Sequence, residues 1–227
     1  MKPMKLVLLA TALGTISALA AEPDGFKPLF NGKDLTGWEQ HSGKAEYRVE
    51  DGCVVGKTVA NTGNSFMCTK EQYGDFILEF EFKVAADMNS GVQFRSQFYD
   101  KETEVEIKGK QKKFPADRVH GYQYEIDPSP RAYTGGVYDE ARRGWLADLK
   151  DNPAAQKAFK QGEWNQARIQ CQGDHIQTWI NGVKAADFKD SLTLNGIIAL
   201  QVHQIGDGKK KAPGEEVRWR NIRINAR

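Results

Sequence analysis

Residues 75–96 read DFILEFEFKVAADMNSGVQFRS. Phe76, Leu78, Phe80 and Phe82 alternate with Ile77, Glu79, Glu81 and Lys83. Successive side chains of a strand point to opposite faces, so this is a half-buried antiparallel strand with one strongly apolar face. Asp87-Met88-Asn89-Ser90-Gly91 supplies a turn, after which Val92 and Phe94 alternate with Gln93 and Arg95. The stretch predicts two strands that share a core, each with a polar opposite face.

The pattern extends in both directions. Phe26, Leu29 and Phe30 form an apolar edge, and Trp38 reads either as core or as a platform for sugar stacking. Residues 47–50 and 53–56 flank Asp51-Gly52 as a hairpin, and residues 65–69 resume a strand. Residues 99–119 are charged and irregular, a surface excursion with room for a small hairpin around Gly109. Asn152-Pro153 pairs a helix cap with proline at the first helical position, so residues 154–160 predict a short helix. Residues 164–171, 175–180 and 183–188 form a meander in which Asn181-Gly182 is the strongest hairpin signal. Residues 196–203 place Ile198, Leu200 and Val202 on one face and Ala199, Gln201 and His203 on the other. Apolar parity shifts between Trp219 and Ile222, which predicts a β-bulge. Many short strands, one brief helix and no βα alternation indicate an all-β sandwich or jelly roll. The long loops at residues 99–119 and 128–161 exceed the usual connection length, which marks them as candidates for function.

Residues 1–21 read as a signal peptide: Lys2 and Lys5, an apolar run over residues 6–20, and Ala18-Leu19-Ala20 as the cleavage motif. Residues 22–227 then form a single domain, exported to the periplasm or the extracellular space, with no membrane span. The formal charge is +2, and setting aside the two leader lysines balances acid against base. That argues against a nucleic-acid partner or an acidic membrane surface. Lys209-Lys210-Lys211 reads as a solvated loop tip. Cys53, Cys68 and Cys171 lack zinc spacing. A Cys53–Cys68 disulfide between neighbouring strands and buried reduced thiols are both consistent with the sequence.

Residues 121–145, GYQYEIDPSPRAYTGGVYDEARRGW, concentrate ligand-type side chains. Tyr122, Tyr124 and Ile126 alternate with Gln123, Glu125 and Asp127, and a glycine-containing loop then brings in Tyr138, Arg142, Arg143 and Trp145. Three strands thus share an oddity: Gln93 with Arg95, Gln123 with Glu125 and Asp127, and Gln201 with His203 sit opposite apolar faces. Solvated strand faces are usually lysine-, glutamate- and threonine-rich. Amides, arginine and histidine instead form directed hydrogen bonds. If the three strands are neighbours, these side chains converge on one concave surface, with the Tyr138–Trp145 loop at its rim. No HxH, HExxH or calcium-loop motif is present. A divalent metal cation held by His203 with Glu125 or Asp127 is an open alternative.

Residues 25–38, 75–96, 121–145, 162–183 and 198–206 together resemble the 3-keto-disaccharide hydrolase family, formerly domain of unknown function 1080. The resemblance implies a concanavalin-like jelly roll, export, and an oligosaccharide or glycoside substrate oxidised to a ketone at C3. Such a ketone acidifies the proton at C2. A base removes it, an enolate forms, the glycosidic oxygen leaves C1, and water adds. This chemistry needs a base, an acid for the leaving oxygen and a group to stabilise the enolate. On this resemblance, Glu125 or His203 transfers protons, and Arg95 and Arg142 stabilise the enolate. Gln93, Gln123 and Gln201 bind hydroxyls, and Tyr138 or Trp145 stacks on a ring. A bound divalent cation acting as Lewis acid on the ketone is the metal-dependent variant. Two rivals stand beside it: a two-carboxylate glycosidase built on Glu125, which needs carboxylates flanking the bond, and a non-catalytic carbohydrate-binding module.

Overall fold

The computed structural model describes residues 25–227, and the expected signal peptide lies outside the described residues. In chain order the elements are β1 (Lys27–Pro28), β2 (Trp38–Ser42), β3 (Glu46–Glu50), β4 (Cys53–Lys57), β5 (Ser65–Thr69), β6 (Phe76–Val84), β7 (Ser90–Gln97), β8 (Thr103–Ile107) and β9 (Lys110–Phe114). There follow β10 (His120–Ile126), β11 (Val137–Glu140), β12 (Gly144–Ala147), α1 (Pro153–Ala158), β13 (Asn165–Gln172), β14 (His175–Ile180), β15 (Val183–Lys189), β16 (Ile197–Val202) and β17 (Glu216–Ala226). One sheet has the order β15-β14-β13-β6-β17-β4-β3, with β1 added on β17. The other has the order β12-β11-β10-β7-β16-β5-β2. The architecture is an antiparallel β-sandwich of the jelly-roll type, with one short helix among the described residues.

The core lies between the sheets and is built by the alternation of the strands. Phe76, Leu78, Phe80, Phe82 and Val84 of β6 face Tyr122, Tyr124 and Ile126 of β10 and Ile198, Leu200 and Val202 of β16. Trp38 belongs to this core, 6% exposed, and is not a stacking platform. Asn152 caps α1 through a bond from the Ala155 N–H at 3.2 Å. The bulge in β17 falls between Arg220 and Arg223, where the register to β6 shifts. It lets Trp219 and Ile222 both reach the core.

Two expectations are corrected here. Cys53 and Cys68 are free and buried, and they lie on β4 and β5, which belong to different sheets and are not neighbours. The segment 128–161 is not a rim loop: within it β11 pairs with β10 and β12 with β11, extending the second sheet and carrying Tyr138 and Trp145 on the sheet itself. The excursion over residues 99–119 does form a hairpin, β8–β9. Its flanks cover the outer face of the second sheet, where Phe98 and Val119 pack on Phe66, Cys68, Ile197 and Ala199. Asp117 latches it down by accepting the Ser42 N–H at 2.7 Å, with the His41 ring on its other carboxylate oxygen at 2.5 Å.

Candidate functional site

The strand order β10-β7-β16 makes the three polar-faced strands direct neighbours. Registers place Gln123 opposite Gln93, and Glu125 and Gln201 on either side of Gly91. With no side chain at Gly91, the Gln123 amide lies across it: a Cβ there would come within 2.6 Å of the Gln123 side chain. The amides are wired in series. Ser96 Oγ donates to Gln93 Oε1 at 2.8 Å, Gln93 Nε2 to Gln123 Oε1 at 2.6 Å, and Gln123 Nε2 to Glu125 Oε2 at 2.8 Å. Asn89 Nδ2 donates to the other carboxylate oxygen at 2.7 Å.

Glu125 is 5% exposed, and its two hydrogen-bond donors are uncharged. Burial pushes its carboxyl up to about 7, against the lowering effect of the Asn89 and Gln123 bonds and of the Arg131 charge. Arg131 is held by Asp127, its Nε donating to Oδ2 at 2.8 Å. Its guanidinium stands 5.1 Å from the Trp145 ring centre and 5.2 Å from that of Tyr133. Tyr138 packs edge-on against Trp145 with centroids 5.3 Å apart. Its phenol is raised by partial burial and by the Glu140 and Glu125 carboxylates.

His203 stands one residue beyond β16. Its Nδ1 lies 2.8 Å from the Gln204 carbonyl, which can only accept, so Nδ1 carries the proton there and Nε2 is left to face outward chemistry. With Asn89 and Gln204 it lines a cavity of about 160 Å³. Asn89 therefore connects Glu125 to the His203 cavity.

Two arginines leave the stripe. Arg95 has φ +46°, and the register between β7 and β16 slips at this point, giving β7 one extra residue. The bulge turns the side chain toward the end of the sandwich. There it donates to the carbonyls of Gly74 at 2.8 Å and Gly173 at 2.7 Å, and to Asp75 at 3.0 Å. Arg142 points to the core side, over the Tyr122 ring at 4.8 Å and bonded to Asp139 at 2.7 Å. Neither faces Glu125. Strand alternation reads neither the bulge nor the core-facing network. It also misses Asn89 and Arg131, which lie in turns. Arg131 was legible only as a cation four residues after Asp127.

The stripe is roofed. Glu140 projects from β11 on the same face as Tyr138, and Asn64 precedes β5, with β10, β7 and β16 between them. Even so, Asn64 Nδ2 donates to Glu140 Oε1 at 3.2 Å, and Arg118 Nη2 donates to the same oxygen at 2.5 Å. These contacts span the three intervening strands, and Gln93, Gln123 and Gln201 are buried at 0–2% exposure. The Gln201 amide beneath has no hydrogen-bond partner at either atom.

His203, Glu125 and Asp127 do not assemble as a metal-ligand set. Asp127 is committed to Arg131 and to the Ser129 N–H, and among the described residues no group of three or more His, Cys, Asp or Glu side chains is arranged to hold an ion.

Residues 25–225 match the model of the 3-keto-alpha-glucoside-1,2-lyase-like domain. The chain belongs to this family. It is the family whose motifs the sequence resembles. A 3-keto-disaccharide hydrolase of Bacteroides thetaiotaomicron is 27% identical over 165 residues, which are 66% of this chain and 54% of that protein. The chain thus spans about half the length of the curated relative it matches. Among solved structures, a Bacillus subtilis protein with a galectin-like fold superposes with a TM-score of 0.60 at 12% identity, covering 88% of this chain and 93% of its own. A Parabacteroides distasonis protein provisionally named a glycosyl hydrolase gives 0.55 at 20% identity, covering 90% and 94%. The Bacillus licheniformis β-glucanase gives 0.54 at 12%, covering 89% and 97%. At these identities the likeness is one of fold. No helix among the described residues is long and apolar enough to cross a membrane.

Proposed function

We propose that this protein is a hydrolase of glycosides and disaccharides carrying a ketone at C3, and that Glu125 is the base that starts the reaction. The observation that carries this is the environment of Glu125. A carboxyl raised to about 7, held by two neutral amides, is matched to accepting a carbon-bound proton at neutral pH. Family membership supplies the substrate class.

Glu125 takes the proton from C2, and the electron pair moves to the C3 carbonyl oxygen as an enolate. Arg131, fixed by Asp127, is the positive charge that acts on the Glu125 carboxyl, and it takes the place of Arg95 and Arg142 in stabilising the enolate. Return of the electrons breaks the C1–O bond. His203, acting as the imidazolium with its Nδ1–H kept on the Gln204 carbonyl, gives its Nε2 proton to the departing oxygen. Water then adds across C1 and C2, its proton to C2 and its hydroxyl to C1, so the net reaction is hydrolysis. Gln93 and Gln123 fix the orientation of Glu125. Tyr138 and Trp145 form an aromatic wall for a ring. Asp127 serves this scheme as the holder of Arg131, and that leaves a two-carboxylate glycosidase without its second free carboxylate.

The test is incubation of purified protein with a panel of 3-keto-glucosides and 3-keto-disaccharides, including 3-keto-trehalose, with and without added divalent metal. Release of the aglycone is expected. Sugars recovered unchanged across the whole panel, under both conditions, would overturn the assignment.

A further inference from the structure

The contacts over the stripe continue beyond Glu140. β5 pairs with β16 so that Ser65 stands opposite Val202, which sets Asn64 beside the chain leaving β16. Asn64 Oδ1 accepts the Gln204 N–H at 2.9 Å, while its Nδ2 donates to Glu140 Oε1 at 3.2 Å. The Gln204 carbonyl in turn faces His203 Nδ1 at 2.8 Å. Arg118 pairs with Glu140 Oε1 at 2.5 Å. Four contacts thus run in series from Arg118 through Glu140, Asn64 and Gln204 to His203.

Each contact has one chemically allowed direction. Glu140, as the carboxylate paired with Arg118, accepts, so it takes the Nδ2 end of the Asn64 amide. A backbone N–H only donates, so Gln204 takes the Oδ1 end, and the amide cannot flip without losing both bonds. The Gln204 carbonyl only accepts, which keeps a proton on His203 Nδ1 and leaves Nε2 for the cavity that Asn89 also lines. β16 ends at Val202, so Gln204 lies beyond the strand. Glu140 and Asn64 are themselves buried, and Arg118 follows Asp117, which is latched to Ser42. The cover segment is thereby tied to the histidine ring. We infer that Asn64 and Glu140 are positioning residues for His203: they hold Gln204 in place and so fix Nε2 as the nitrogen that gives its proton to the departing oxygen. The inference rests on the reading of His203 as the acid.

Asn64→Ala and Glu140→Ala break the series at two points, with thermal melting as the folding control. The experiment measures kcat/KM for methyl 3-keto-glucoside, whose alkoxide needs an acid to leave, and for 4-nitrophenyl 3-keto-glucoside, whose phenolate leaves without one. Expected in both variants is a loss at least about tenfold larger on the methyl glycoside, within the roughly 10²–10⁴-fold that a positioned acid contributes. Glu140→Gln, whose amide oxygen still accepts from Asn64, should return the ratio of the two substrates toward that of the wild type. Equal losses on both substrates, or none on either, overturn the positioning role. A second readout needs no turnover: nitrogen NMR of histidine-labelled protein at about pH 9, where a histidine ring is neutral, with His203→Gln assigning the signal. The His203 ring is expected as the Nδ1–H tautomer in the wild type and should move toward Nε2–H in Asn64→Ala. An Nε2–H ring in the wild type, or the same tautomer in both proteins, overturns the inference. If the wild type cleaves neither glycoside, the function proposed above fails instead, and the NMR comparison alone decides the positioning.

Discussion

Both side-chain bonds to Glu125 are donated to it, so a glutamine keeps the one from Gln123 as it stands and the one to Asn89 once that amide flips, and the charge can be removed at little structural cost. Glu125→Gln is expected to fold normally and to lose about 10²–10⁴-fold in kcat, read by aglycone release beside circular dichroism. In the wild type, kcat/KM should rise with pH along a limb centred near 7, because the base must be ionised. Stability should run the other way. The folded carboxyl titrates near 7 and the unfolded one near 4.5, so folding favours the protonated form. That contribution is complete below about pH 4.5 and is lost as pH rises through 7, by up to roughly 3 kcal/mol. Urea denaturation at about pH 5 and pH 8 checks this: Glu125→Gln should gain on the wild type at the higher pH and not at the lower. At this scale the sequence was half legible. Alternation places Gln123 and Glu125 on one face because β10 is regular. The same rule fails at Arg95, where a positive φ and one extra residue turn the side chain away.

Among the elements, β7 is the hinge of the site because Gly91 leaves room between β10 and β16. Gly91→Ala would press a methyl group to within 2.6 Å of the Gln123 side chain and displace the amide that holds Glu125. A loss of about 100-fold in kcat is expected, as for a misplacement of about 1 Å, with KM less affected. Steady-state kinetics check it, and unchanged kcat would mean that the Gln123–Glu125 bond is dispensable. Alternation within each strand made the polar faces visible, but not their adjacency. Strand order depends on long-range pairing, and the neighbours β7 and β16 are separated by about a hundred residues. The excursion over residues 99–119 was legible as surface chain. Its service as cover was not, because Phe98 and Val119 are isolated apolar residues with no periodic partner.

For the molecule as a whole, Arg95 ties the end of one sheet to the other through Gly74, Asp75 and Gly173. Arg95→Met should cost roughly 2–4 kcal/mol of stability while the remaining folded protein keeps its kcat, which distinguishes a brace from a catalytic group. Chemical denaturation and active-site-normalised kinetics report the two separately. All three cysteines should react with a thiol reagent after denaturation and resist it before, since each is buried and free. A count below three under denaturing conditions would restore the disulfide alternative. The sandwich class was readable from periodicity, and so was the bulge in β17, yet nothing in its composition announces where that strand goes. It lies between β6 and β4, inside the first sheet, although it follows every other strand in the chain. During synthesis, β6 must therefore wait with one edge open until residues 216–226 have emerged. A nascent chain of this protein would remain a chaperone client, prone to edge-to-edge association, until this strand has been made.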